Sequence, residues 1–133
     1  MKKSKSYPAI NIQWPISQLI IDGKKTVETR TYPIPEKYIN RELLIVETPG
    51  RHGRFKARII GLVTFSRCYQ YESKTSFYKD VKKHCVDPKS DWAWTGTSPK
   101  WGWDIQKLVK LNKPIPAPSH RGILFTKAIQ LDL

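Results

Sequence analysis

The sequence predicts an α+β fold, a small, mixed but mostly antiparallel β-barrel with two or more short helices at its rim. Three observations predict it. Stretches that alternate with period two outnumber stretches of helical period. The connections between them are too short for parallel crossovers. The 10 prolines and 7 glycines among 133 residues require many turns and few long helices. This length sets one domain, with about two-thirds of the unfolded surface buried. The expected division is a disordered basic tail over residues 1–8 and a single domain over residues 9–133.

Taken in order, Ala9-Ile10-Asn11-Ile12 alternates and predicts a first strand. Ile16, Leu19 and Ile20 recur at i, i+3, i+4 and draw one apolar stripe on a short helix, whose first turn tolerates Pro15 because that amide has no partner there. Gly23 supplies a left-handed stop. From Thr26 the period becomes two: Val27, Thr29 and Thr31 fall on one side, Thr26, Glu28, Arg30 and Tyr32 on the other, so Glu28 and Arg30 share a face. Tyr32-Pro33-Ile34-Pro35 is an extended connection, since prolines cannot donate to a ladder. Arg41 to Thr48 follows as a strand, apolar on both parities through Leu43-Leu44-Ile45-Val46, as suits cover on both faces.

Pro49-Gly50 and the basic turn Arg51-His52-Gly53-Arg54 lead to a strand from Phe55 to Phe65, in which Gly61 marks a bend or a close backbone approach. Thr75 or Ser76 is the expected cap of a helix with Phe77, Val81 and His84 or Cys85 buried and Lys79, Lys82 and Lys83 outside. The segment 87–101 is irregular but holds Trp92, Trp94 and Trp101. Trp103, Ile105, Lys107, Val109 and Leu111 alternate as a strand, Pro114, Pro116 and Pro118 make a second extended crossing, and Ile123 to Leu131 alternate as the last strand. Val27, Leu44, Ile59, Val63, Ile105, Phe125 and Ile129 are expected to meet in one barrel core.

Charge points to the partner. Lys and Arg number 24 against 11 Asp and Glu, a net charge of +13. Domains this basic commonly meet polyanions, nucleic acid first, although solubility alone also accounts for a basic surface. Cys68 and Cys85 form no Cys-x-x-Cys pair and are expected to be reduced thiols. The charged start lacks an apolar signal-peptide region, and no run approaches the roughly 20 apolar residues of a membrane span. A soluble, cytoplasmic protein and a monomer are expected. His52, His84 and His120 are scattered, so no metal is expected, and neither a Gly-x-Ser-x-Gly nor a phosphate-loop pattern is present. No cofactor is expected.

The run Gly23-Lys24-Lys25-Thr26-Val27-Glu28-Thr29-Arg30 matches Gly-x-Lys-x-x-Glu-x-Arg, the signature of ASCH domains, which are small relatives of the PUA-like barrels. The chain resembles that family over nearly its whole length. Further landmarks stand in order: Gln13-Trp14-Pro15, Leu43-Leu44-Ile45, Gly61-Leu62-Val63, Trp101-Gly102-Trp103, Pro114-Ile115-Pro116 and Arg121-Gly122. The resemblance implies a PUA-like barrel with its ligand cavity beside the motif. One branch contains small amidohydrolases acting on N4-acetylcytidine, with a Lys and a Thr in this motif and a Glu from elsewhere. Lys25 matches that Lys, but Glu28 stands where the threonine would be, and no residue here matches the Glu. Other relatives are suspected nucleases.

Two constellations follow. Glu28 can orient the Arg30 guanidinium on its strand face while Lys25 reaches in from the turn, which suits a phosphate or a base edge. The same spacing also describes an exposed strand pair worth at most about 1 kcal/mol. The aromatic set Trp14, Tyr32, Trp92, Trp94, Trp101 and Trp103 offers stacking surfaces or simply core, with Trp92 and Trp94 the better rim candidates. The expected function is a nucleic-acid-binding module, RNA before DNA, that reads one splayed or modified base. The alternative is a small hydrolase of nucleosides or RNA, with Lys25 and Glu28 as its catalytic pair. Expected ligand-binding residues are Trp14, Lys25, Glu28, Arg30, Tyr32, Trp103 and Arg121.

Overall fold

The computed structural model describes residues 5–118 and 129–131. Seven strands and three short helices run in the order β1 (Lys5–Tyr7), β2 (Ala9–Gln13), α1 (Ile16–Ile21), β3 (Val27–Arg30), β4 (Glu42–Thr48), β5 (Arg58–Tyr71), α2 (Lys74–Lys79), α3 (Val81–His84), β6 (Lys100–Pro116) and β7 (Ile129–Leu131). Five strands form one sheet in the order β2-β4-β5-β6-β3, and β1 pairs with β7 in a separate ladder. All neighbours are antiparallel except β2 and β4, which run parallel with Ala9 opposite Leu44 and Gln13 opposite Thr48. Lys5–Tyr7 fall inside the stretch expected to be a disordered tail. They are held by β7, and Tyr7 is buried against Leu44 and Leu62.

The mixed, mostly antiparallel α+β architecture is as expected, but the sheet does not close into a barrel. Its edges, β2 and β3, share no ladder. The Arg30 side chain takes the carbonyl of Asn11 instead, so an acceptor on the β2 edge is held by a guanidinium and not by a backbone amide.

The single core is a second correction. Leu43, Ile45, Val63 and Phe65 lie in one cluster, with Ile105 packed against it, while Leu44, Val46, Ile59 and Leu62 lie in another. The two-sided run in β4 thus is covered on both faces. A bulge where the β5 register slips between Ile59 and Gly61 inverts the parity, sending Ile59 and Val63 to opposite sides. Gly61 is required at this bulge: a Cβ there would strike the carbonyl oxygen of Val109. Phe125 lies outside the described residues.

Local differences have local causes. Phe55 to Ala57 stay in the turn before β5, where Phe55 meets Trp14 edge-on and lies 4.1 Å beneath the Arg58 guanidinium. The expected helix breaks at Asp80 into α2 and α3, leaving Val81 exposed and Phe77 and His84 buried. Its cap is Ser73, whose hydroxyl accepts the Ser76 amide at 3.1 Å while Ser76 Oγ accepts the Ser73 amide at 3.2 Å. Strand β6 continues through Pro114 and Pro116, because β3 covers only Trp101–Asp104 and the far side of β6 needs no donor there. Phe77, Tyr71, Val86 and Trp94 make a third, aromatic cluster beneath α2.

Candidate functional site

The two edges of the sheet stand furthest apart in strand order, yet Arg30 Nη2 of β3 donates to the Asn11 carbonyl of β2 at 2.9 Å. The sheet therefore curls until its edges face each other across the width of one side chain. A cavity of about 380 Å³ lies along this seam, within the usual range of small-molecule sites. Asn11, Ile12 and Gln13 of β2, with Ile16 and Thr48, line one side. Lys25, Glu28, Thr29 and Arg30 line the other, and Val86 and Trp92 complete the wall.

The charged groups are placed by the helix, turn and strand that the motif encodes. The α1 helix stops at Gly23, which has φ +77°, and the Lys25 amide folds back onto the Leu19 carbonyl, setting Lys25 just before β3. Strand parity then turns Glu28 and Arg30 to the same side. Glu28 Oε2 accepts Arg30 Nη2 at 3.0 Å, Oε1 accepts the Thr29 amide at 3.0 Å, and Lys25 Nζ stands 3.8 Å from Oε1. Burial alone would raise the Glu28 pKa; the charges of Arg30 and Lys25 and the Thr29 amide outweigh it and hold the carboxyl below its ordinary value. Burial lowers the Lys25 pKa and Arg30 adds to the lowering, while Glu28 and Cys85 pull it back. Lys25 is only 2% exposed, so this is no surface ion pair.

Lys25 also donates to the backbone carbonyl of His84, at the end of α3. The His84 ring fixes that carbonyl. Its Nδ1 accepts the Val86 amide at 3.0 Å, which leaves Nε2 as the donor to the Phe77 carbonyl at 2.7 Å, and the ring stacks on Phe77. Burial lowers the His84 pKa, consistent with a neutral ring. His84 and Val86 thereby join the irregular segment to the motif, with the Thr26 amide bonded to the Lys83 carbonyl as a second tie.

The expected site residues divide. Lys25, Glu28 and Arg30 meet in the cavity. Trp103 is fully buried, with Nε1 donating to the Tyr32 carbonyl at 3.0 Å and the Arg30 guanidinium 5.8 Å from its ring. Tyr32 packs edge-on against Trp103, and its hydroxyl is buried with no hydrogen-bond partner among the described residues. Trp14 packs on Phe55. These three do not line the cavity. Arg121 lies outside the described residues. Of the two rim candidates, Trp92 is exposed at the cavity wall and Trp94 is buried in the aromatic cluster. Gln13 stood only as part of a landmark, and Asn11, Thr48 and Val86 carried no site signal in the sequence, because contacts between distant segments bring them to the cavity.

A second buried carboxylate lies next to the cavity-lining Thr48. Glu47 is fully buried; its oxygens accept Ser17 Oγ at 2.6 Å, Gln18 Nε2 at 2.7 Å and Arg58 Nε at 2.7 Å. Burial would raise its pKa, but these hydrogen bonds together hold it below the ordinary value. Parity offered a clue, since Leu43, Ile45 and Glu47 share one face of β4. Among the described residues no cluster of His, Cys, Asp and Glu is arranged to hold a metal ion, and no helix is long and apolar enough to cross a membrane.

The ASCH domain family model matches residues 10–110, which span both cavity walls. The chain belongs to the ASCH domain family. Among solved structures it is similar to an ASCH protein from Zymomonas mobilis at 19% identity and a TM-score of 0.65, covering 83% of this chain and 73% of that one. A single-residue mutant of that protein gives a TM-score of 0.63 at 19% identity, with 87% and 76% covered. These likenesses establish the ASCH fold. No curated protein matches the sequence. ASCH domains are generally thought to bind RNA.

Proposed function

We propose that the seam cavity of this ASCH domain holds one nucleotide of single-stranded RNA with its base inserted between β2 and β3. The observation that carries this reading is the Glu28–Arg30 pair, a fixed acceptor beside a fixed donor on the wall of a cavity of about 380 Å³. Arg30 spends Nη2 on Glu28 and Asn11, while Nε and Nη1 have no partner among the described residues. Asn11, Gln13, Thr29 and Thr48 add groups that can donate or accept, Ile12, Ile16 and Val86 supply apolar surface, and Trp92 offers an exposed ring at the wall. A net charge of +13 favours a polyanion outside. The test is affinity for homopolymeric RNA oligomers and for modified nucleosides. Arg30→Ala is expected to weaken binding by about 1.5–3 kcal/mol and Trp92→Ala by roughly 1–3 kcal/mol, with the fold checked by thermal melting. Unchanged affinity in both variants would overturn the reading.

A second reading rests on Lys25. A buried amine with a lowered pKa, 3.8 Å from a carboxylate in a cavity, is also what proton transfer on a nucleoside or RNA requires. On this reading Glu28→Gln lowers turnover by about 100-fold, measured on an RNA and N4-acetylcytidine panel. Absence of turnover in the parent protein removes it.

A further inference from the structure

On the proposed reading the cavity takes one nucleotide, so a strand enters and leaves across its two rims, and both rims carry lysines or arginines. On the β2 side, Gln13 and Thr48 are paired at the ends of their strands, and the chain continues directly from Thr48 into the turn of Arg51, Arg54 and Lys56, all three exposed. No acidic residue occurs between Glu47 and Glu72, so nothing on the turn itself offsets this charge. The turn is fixed in place: Gly50 lies so close to the Gln13 side chain that a Cβ would overlap it, and Phe55 is clamped between Trp14 and Arg58. On the β3 side, α3 is tied to the motif through the Thr26 amide and Lys25 Nζ, and it presents Lys82 and Lys83, with Lys89 exposed in the segment between the wall residues Val86 and Trp92; the exposed Asp87 and Asp91 flank Lys89, so this rim is the less basic of the two.

We infer that Arg51, Arg54 and Lys56 on one rim and Lys82, Lys83 and Lys89 on the other form two phosphate-binding segments that carry single-stranded RNA across the seam, so that the nucleotide between them drops its base into the cavity. This rests on the proposed function above. It adds the strand's path and makes length the determinant of affinity: a lone nucleotide fills the cavity, whereas only an oligomer reaches both rims. Phosphate contacts of this kind position the strand and carry no sequence preference.

The experiment measures binding of a nucleoside monophosphate and of a single-stranded RNA hexamer across a salt series. It uses the parent and three triple variants: Arg51→Ala/Arg54→Ala/Lys56→Ala, Lys82→Ala/Lys83→Ala/Lys89→Ala, and Lys107→Ala/Lys110→Ala/Lys113→Ala on β6 as a control of equal charge. The parent is expected to bind the hexamer at least tenfold more tightly than the monophosphate. Each rim variant is expected to make the slope of log K against log salt shallower by about 2, at roughly 0.7 for each phosphate that the protein no longer neutralises, while monophosphate affinity stays within twofold. The control is expected to change the slope by less than half as much. Equal losses in the rim and control variants would overturn the track, as would a hexamer that binds no tighter than the monophosphate. The latter leaves the cavity reading intact. Rim-dependent hexamer binding that ignores Arg30→Ala supports the track and sinks the cavity reading instead.

Discussion

Glu28 and Glu47 are both buried glutamates held below their ordinary pKa, and they have opposite surroundings. Glu47 is enclosed by three side-chain donors, Ser17, Gln18 and Arg58, only one of them charged, and it joins α1 to β4 and β5. Its needs are met locally. Glu28 stands between two cations, Lys25 and Arg30, on the wall of an open space, and Arg30 keeps donors in reserve. Burial and a shifted pKa therefore do not identify a site by themselves. What separates the two is the excess of donors over acceptors and a cavity for a ligand to supply the balance.

Removing the charge from each glutamate tests this difference most directly. Glu28→Gln strands a nearly inaccessible ammonium and a mostly buried guanidinium, and is expected to lower stability by about 3 kcal/mol, read by urea denaturation. Adding Lys25→Met should restore part of that loss. Glu47→Gln keeps an acceptor for Ser17 and leaves Arg58 with 35% of its side chain in water, so its expected cost is about 1–2 kcal/mol, with RNA affinity unchanged. If Glu47→Gln proves the costlier, or weakens RNA binding, the contrast fails.

The shallowest effect is on the alkaline side, because Glu28 offsets part of the burial that lowers Lys25. Between the lowered folded pKa of Lys25 and its ordinary 10.5, the unfolded chain binds a proton that the folded chain does not, so stability should rise with pH across that window. Lys25→Met should remove its share of the rise, leaving that of Lys100, which burial also lowers, against the opposite contribution of Tyr69 and Tyr71, which burial raises. Glu47→Gln should leave the share of Lys25 in place. Both carboxylates give a slope of the same sign at the acid end, because there too the folded chain binds fewer protons than the unfolded one. Their contribution is present above the ordinary 4.5 and is lost as pH falls through each lowered folded pKa, so melts recorded between pH 5 and pH 3 should fall more steeply in the parent than in the double Gln variant, in which the loss due to the buried His84 remains.

The sequence disclosed the parts of the site that are local. A three-residue apolar spacing, a glycine and a change to period two were enough to place Lys25 before a strand and to put Glu28 and Arg30 on one face. The two-sided cover of β4 was equally legible in Leu43 to Val46. What depended on contacts between distant segments was not. The bulge beside Gly61 reverses which face Ile59 serves, and no periodicity records an inserted residue in advance. The parallel union of β2 with β4 brings Asn11 and Gln13 to Thr48, and the His84 carbonyl reaches Lys25 from 59 residues away. Trp14, Tyr32 and Trp103 gave the site an expected aromatic lining, but large rings also fill small cores: Trp103 is core, Tyr32 packs half-buried against it, and Trp14, also half-buried, meets Phe55.

The parallel union of β2 with β4 has a kinetic consequence. The chain between those strands contains α1 and β3, and with them Lys25, Glu28 and Arg30; β3 in turn waits for Trp101 to Asp104 of β6. Neither pairing is local, whereas β4 and β5 are consecutive and joined by residues 49–57 alone, so the loop-closure cost of the cavity falls late in folding. Glu28→Gln should then accelerate unfolding and leave the folding rate nearly untouched, a φ-value near zero, while Val63→Ala in the β4–β5 pair should slow folding. Stopped-flow chevrons of the two variants would show it. A pocket assembled after the transition state is the portion of the domain whose lifetime a bound ligand extends most, because occupancy slows unfolding without having to wait on the folding step.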